Sequence, residues 1–225
     1  VAKKRVLVTG FEAFGGGCIN PSALILDALK DNKMNEMASL TNDVEIYTEL
    51  LPVVRYDAVT KVNLAIEAVE PDAVLMLGQA AGRAKITFEK VAINLDDYCI
   101  PDNAGNQPVE EQVSVNGPTA YFSRLPVKLM AKTLSEAGIP ASVSYSAGTY
   151  VCNHLFYGVT HQVESLSAFQ HIRTGFMHLP LLPEQALGSD KPYMALDTMI
   201  EGTLWAIYAA LTHQEEKDVF GGVVC

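Results

Sequence analysis

In this 225-residue chain, residue type and position first combine into chemistry at a cysteine on the joint between an extended run and a helix. The stretch is Ser144-Tyr145-Ser146-Ala147-Gly148-Thr149-Tyr150-Val151-Cys152-Asn153. A β-leaning run from Ala141 to Ser146 feeds a small-residue turn at Ala147, Gly148 and Thr149. Helix-like sequence follows from about Val151 to Val163. Cys152 is therefore expected near the first turn of a helix. Unpaired backbone N–H groups and the positive dipole end favour a thiolate there, and a thiolate is a nucleophile. The same place also suits a small buried hydrophobe, a common fate of free cysteine.

A nucleophile needs a base and a group to orient that base. His178 ends the apolar run Gly175-Phe176-Met177-His178, where a polar ring needs a reason. His154 is two residues after Cys152, which on a helix turns it roughly 200° away. His161, His171 and His213 lie in polar stretches and read as surface groups. For the carboxylate, Glu89 stands out in Ile86-Thr87-Phe88-Glu89-Lys90-Val91, with Asp96 and Asp97 as rivals. A strand carboxylate is often only a solvated edge group.

These residues must be held by a scaffold. Arg5 to Thr9 reads as a buried strand running into the aromatic, Gly-rich loop Gly10 to Gly17. Asn20-Pro21 opens a helix, with Asn as N-cap and Pro at the first helical position. Val44 to Leu51 alternates like a strand; Val59, Val62, Ile66 and Val69 recur at helical spacing until Pro71. Ala73 to Leu77 is a second buried strand leading to Gln79, and Lys85 to Ile100 reads as one extended run. A helix is expected from about Leu125 to Ala137, a strand within Gln170 to Leu179, and a last helix from about Met194 to Thr212. Strands alternating with helices imply a mostly parallel sheet covered on both faces. In such sheets the loops at the carboxyl ends of the strands converge on the site, which would gather Gln79, Cys152, His178 and the Gly10–Gly17 loop. That loop lacks the Gly-Lys-[Ser/Thr] of a P-loop; Phe11 and Phe14 suit an apolar pocket wall better than a phosphate cradle.

Composition limits the partners. A formal charge of −10 argues against nucleic acid or an anionic membrane. No stretch reaches the apolar length of a membrane span. The opening Val1-Ala2-Lys3-Lys4-Arg5 enters a strand directly, so a cytoplasmic protein is expected. Four cysteines without metal spacing argue against a metal centre and, in that compartment, against disulfides. Residues 1–225 read as one domain, with the tail from about 213, including Cys225, expected to fray.

Several ordered blocks together resemble the pyroglutamyl peptidase type I (pyrrolidone-carboxylate peptidase) family. They are Val8-Thr9-Gly10-Phe11-Glu12-Ala13-Phe14-Gly15-Gly16, Asn20-Pro21-Ser22, Gly78-Gln79-Ala80-Ala81-Gly82-Arg83, Val91-Ala92-Ile93-Asn94 and Ile100-Pro101-Asp102-Asn103, followed by Ala147 to Asn153 and His178 to Gln185. The resemblance implies a three-layer α/β/α sandwich of the phosphorylase/hydrolase-like type, needing no metal or cofactor, in a cytoplasmic homo-oligomer, tetramer or dimer. It implies a cysteine peptidase that removes an N-terminal pyroglutamyl residue from peptides through a thioester. Cys152 would be the nucleophile, His178 the general base and acid, and Glu89 the orienting group. The lactam pocket would fall on Phe11, Phe14, Ile100, Tyr150 and Val151, with Gln79 at the lactam's polar edge. Cys99 stands where relatives usually carry arginine. That departure sets the alternative, a homologue that binds pyroglutamyl or lactam ligands with little or no turnover.

Overall fold

Among the described residues, eight strands and six helices are built where apolar residues repeat at the periods of two and of about 3.6. The structure, a computed structural model, describes residues 3–30 and 43–212. His213, Cys225 and the rest of the tail lie outside the described residues. The strands are β1 (Lys4–Phe11), β2 (Val44–Leu51), β3 (Ala73–Gln79), β4 (Ile86–Glu89), β5 (Val91–Ile93), β6 (Ala120–Phe122), β7 (Ala141–Ser144) and β8 (Arg173–Leu179). The helices are α1 (Pro21–Lys30), α2 (Arg55–Val69), α3 (Val127–Glu136), α4 (Val151–Ser165), the short α5 (Pro183–Ala186) and α6 (Leu196–Thr212).

Six strands form an open sheet in the order β2-β1-β3-β8-β4-β7. Every neighbouring pair is parallel except β4 with β8. The sheet is covered on both faces, which explains why β1, β3 and β8 are nearly continuous apolar runs. Val6, Val8, Leu75, Leu77, Phe88 and Met177 pack with α1, α3 and α6. Leu7, Val74, Met76 and Phe176 point the other way and pack with α2 and α4. The result is a three-layer α/β/α arrangement. No helix among the described residues is long and apolar enough to cross a membrane.

Two sequence expectations change. The extended run Lys85 to Ile100 is not one strand. It breaks at Lys90 into β4, which joins the main sheet, and β5, which pairs antiparallel with β6 in a separate two-stranded ribbon. Nor do all carboxyl ends converge at one edge. β4 and β7 run opposite to β8, so they enter the site region from the other side. Direction is chosen by cross-strand hydrogen bonding and connection length, which local periodicity does not encode.

Two anchors fix the parts that line the site. Asn20 Oδ1 accepts the Ser22 N–H at 3.1 Å, capping α1. Asp102 Oδ2 accepts the Arg55 N–H at 3.1 Å at the start of α2, which ties the loop carrying Cys99 and Ile100 to that helix. On α4, Leu155, Phe156, Val159 and Val163 are wholly buried. Each such side chain contributes about 1.5–3 kcal/mol relative to exposure. That seating holds the first turn of α4, and Cys152 with it, against the sheet.

Candidate active site

The site is assembled on the sheet face under α2 and α4, where β3, β8 and β4 lie side by side. Gly78 of β3 is in register with His178 of β8, and β4 sets Thr87 opposite His178 and Glu89 opposite Phe176. Strand alternation puts Glu89 and His178 on the same face, one step apart on the diagonal. His178 Nδ1 lies 2.7 Å from Glu89 Oε1, with Glu89 fully buried and His178 3% exposed. Glu89 is thus a buried strand residue rather than a solvated edge group. It meets the imidazole sideways across adjacent strands because β4 is antiparallel to β8.

Arg83, on the turn after β3, gathers three pieces of chain. Its Nη1 donates to Glu89 Oε1 at 2.5 Å and also to the Thr87 hydroxyl. Its Nη2 donates to the Ser146 carbonyl at 3.1 Å, on the loop that leads to Cys152. Sequence reasoning quoted this arginine without giving it a role. An arginine four and six residues before Thr87 and Glu89 was the available signal.

Cys152 lies in the first turn of α4, as its spacing predicts. Gly148 takes φ of +79°, a left-handed conformation that suits glycine and turns the chain into the helix. Thr149 fastens the turn: its carbonyl accepts the Asp97 N–H at 3.1 Å, and its hydroxyl donates to the Asp97 carbonyl at 2.7 Å. The sulfur lies over Gly78, where a Cβ would come within 2.9 Å of Sγ and 2.7 Å of the Phe176 ring. Glycine there makes room for the Cys152 sulfur.

The electrostatics correct one expectation. Burial, with the Glu89 charge second, pushes the Cys152 thiol up to about 12, against the opposing pull of Arg83 and of its own backbone N–H. The helix N-terminus therefore does not leave a resting thiolate. Burial likewise holds His178 below the ordinary histidine value, although Glu89 pulls it upward. For Glu89, burial alone would raise the pKa, but the His178 hydrogen bond and the Arg83 charge among others outweigh it, and the carboxyl stays below its usual range. At neutral pH the set is thiol, neutral imidazole and carboxylate. An ionised Glu89 only accepts, so Nδ1 carries the proton and Nε2 keeps a lone pair.

Cys152 and His178 line one cavity of about 390 Å³ together with Phe11, Phe14, Gln79, Ile100, Tyr150 and Val151. All nine residues singled out from the sequence thus come to one place, Glu89 through its bond to His178. Phe11 belongs to the end of β1 rather than to the loop. Val53, Ala81, Ala147, Asn20 and Cys99 complete the wall. Tyr150 is held by its hydroxyl, which donates to the Pro101 carbonyl at 3.1 Å, and by an edge contact from Tyr98 at 4.7 Å. The wall is mostly apolar with a few polar atoms, the composition of a small-ligand site.

The rival residues go elsewhere. His154 points away from Cys152; its Nδ1 is 2.7 Å from Asp96 Oδ2, both fully or nearly fully buried, and Arg55 lies 3.4 Å from the same oxygen. This second histidine–carboxylate pair braces α4 against the Asp96 loop and α2. Asp97 is exposed. His161 is not a free surface group: Tyr121 lies 2.7 Å from Nδ1 and Ser114 3.3 Å from Nε2.

Comparison with known proteins places the chain in a family. A model described as pyroglutamyl peptidase matches residues 4–213. The pyrrolidone-carboxylate peptidase of Vibrio parahaemolyticus is 50% identical over 222 residues, covering 99% of this chain and 100% of that protein. The enzyme of the same name from Yersinia pestis (strain Pestoides F) is 46% identical over 98% of this chain and 99% of its own. The crystal structure of Bacillus amyloliquefaciens pyroglutamyl peptidase I superposes with a TM-score of 0.86 at 41% identity, covering 95% of this chain and 99% of that one. Pyrrolidone carboxyl peptidase from Thermococcus litoralis gives a TM-score of 0.86 at 33% identity over 98% of this chain and 100% of that one.

Proposed function

The chain belongs to the pyroglutamyl peptidase family, and from that premise we propose that it hydrolyses the amide bond after an N-terminal pyroglutamyl residue, with Cys152, His178 and Glu89 as its catalytic set. The observation that carries the reading is a neutral His178, tied through Nδ1 to Glu89 at 2.7 Å, in the same cavity as Cys152. In a neutral pair, the thiol proton leaves only as attack begins. His178 Nε2 takes the proton from Sγ while sulfur bonds to the pyroglutamyl carbonyl carbon. The oxyanion faces the first turn of α4, whose N–H groups have no intrahelical acceptors, and the Cys152 N–H is the donor assigned to it in this reading. As the C–N bond breaks, Nε2–H protonates the leaving amine and a thioester remains. His178 then takes a proton from water, the oxygen attacks the thioester, the C–S bond breaks, and the proton returns to sulfur. Glu89 keeps the imidazole in the productive tautomer and stabilises the imidazolium that forms in each half.

Selectivity follows from the wall. A pyroglutamyl ring is flat and uncharged, and fits among Phe11, Phe14, Ile100 and Tyr150. An unblocked N-terminus would bring an ammonium group into that apolar space, which costs several kcal/mol unless it is paired. Three free cysteines among the described residues, two of them exposed, suit a reducing, cytoplasmic compartment. Exposed apolar side chains on one excursion of the chain, Val109, Val115 and Phe122, support an assembly of identical chains. The core clusters on the two faces of one sheet support a single domain.

The test is fluorophore release from a pyroglutamyl amide under reducing conditions, for the wild type and Cys152→Ala. Turnover that vanishes in the variant is expected. No turnover by a folded wild type, or turnover that survives in Cys152→Ala, would overturn the proposal.

A further inference from the structure

Gln185 lies on the short helix just after the His178 strand, and nothing in the reaction above uses it. Its amide is held by two backbone groups whose roles are not interchangeable. Oε1 accepts the Leu182 N–H at 2.9 Å, the back-bond of a glutamine to the start of its own helix. Nε2 donates to the Ile19 carbonyl at 3.1 Å. A backbone N–H only donates and a carbonyl only accepts, so the orientation of the Gln185 amide is determined without ambiguity.

The second hydrogen on Gln185 Nε2 goes to Gln79 Oε1, at 2.8 Å. That contact works only if Gln79 turns its oxygen toward Gln185. Gln79 lines the cavity with Cys152 and His178, and its Nε2 has no acceptor among the described residues. The polarity of the backbone at Leu182 and Ile19 is thus passed through two side-chain amides to the cavity.

We propose that Gln185 is a positioning residue that makes Gln79 present an N–H donor, and never a carbonyl acceptor, to the substrate ring, so that the site selects rings bearing a carbonyl oxygen. The inference rests on the peptidase reading above and deepens it. Without Gln185, either end of the Gln79 amide could face the ring, and a carbonyl end would repel a lactam oxygen while still welcoming rings that donate.

The experiment compares a pyroglutamyl amide with its ring thiolactam, in which sulfur, a weaker hydrogen-bond acceptor, replaces the ring oxygen. In the wild type, kcat/KM for the oxygen substrate should exceed that for the sulfur substrate about tenfold, the order of one hydrogen bond. Gln185→Glu keeps an acceptor for the Leu182 N–H but has no donor for Gln79, whose amide then turns its Nε2 toward residue 185. The ratio should fall to about one, mainly through KM. Gln185→Met, which leaves Gln79 free to rotate, should give an intermediate ratio and serves if the charged variant does not fold. In a Gln79→Leu background, Gln185→Glu should change the ratio no further. A purely structural role would lower both substrates alike. Unchanged ratios in folded Gln185 variants overturn the inference, as does a wild-type ratio of about one. A wild type that cleaves neither substrate overturns the peptidase reading and this inference with it.

Discussion

Replacing Arg83 with glutamine should move the acid limb of the kcat/KM profile to higher pH. Arg83 Nη1 and His178 Nδ1 bond the same Glu89 oxygen, at 2.5 and 2.7 Å, which keeps the two nitrogens within about 5 Å of each other. The Arg83 charge opposes protonation of His178. At an effective dielectric constant of about 20, unit charges 5–6 Å apart interact by about 3 kcal/mol, or about 2 pKa units. The Arg83 side chain is 27% exposed, and solvent screening reduces the effect to about 1 unit. In the free wild-type enzyme the acid limb is the protonation of His178, because the Cys152 thiol titrates far higher. The wild-type limb should therefore lie below pH 6.5, and the Arg83→Gln limb about one unit above it. Below the wild-type limb, the variant should be slower by about a further factor of ten. Arg83→Lys, which keeps the charge but not the fork to Ser146, should shift less. Initial rates on a pyroglutamyl amide from about pH 4.5 to 9, with circular dichroism as a check on folding, measure this. A limb that stays put or moves down in a folded Arg83→Gln would refute the view that this charge adds to burial in holding His178 below its ordinary value.

The same geometry makes further predictions. Gly78→Ala places a Cβ 2.9 Å from Sγ of Cys152 and 2.7 Å from the Phe176 ring, so the sulfur must move; kcat should fall on the order of 10²-fold with secondary structure intact by circular dichroism. Asp96→Asn removes the buried charge facing Arg55 and His154; it should cost about 3 kcal/mol and lower Tm by about 6–12 °C, without moving the acid limb of the remaining activity. Stability should also fall in acid in two stages, read as the urea midpoint against pH. The depressed His178 lets the unfolded chain take up a proton that the folded chain refuses, so its contribution is present above about pH 6.5 and is lost as pH falls toward the lower folded value. The depressed carboxyls of Glu89, Asp72 and Asp102 add a second loss below about pH 4.5. His178→Asn should remove the first stage and keep the second.

Much of the frame was legible because it is written in local periodicity. β2 has the expected limits Val44–Leu51, and the joint before Cys152 is a turn followed by α4, because alternation, helical spacing and small turn residues act over a few residues. The rotation of His154 away from Cys152 followed from helix geometry alone. The choice between Glu89 and Asp96 did not. Both are carboxylates in extended chain, and each has a buried histidine partner; what separates them is that β4 lies antiparallel beside β8, a fact of long-range pairing. The break at Lys90 that sends β4 and β5 into different sheets is of the same kind.

The sequence by itself determined the candidate residues and the local elements that hold them: a cysteine at a helix start, a histidine at the end of a buried strand, aromatics for an apolar wall. Only the tertiary structure decided their states. A helix N-terminus argues for a thiolate, yet desolvation pushes the Cys152 thiol up, and desolvation also holds His178 below its ordinary value. The direction in which Gln79 turns its amide depends on a glutamine 106 residues away, bonded to two further backbone groups. Protonation and hydrogen-bond polarity depend on desolvation and on neighbours distant in the chain, and those exist only once the sheet has closed over them.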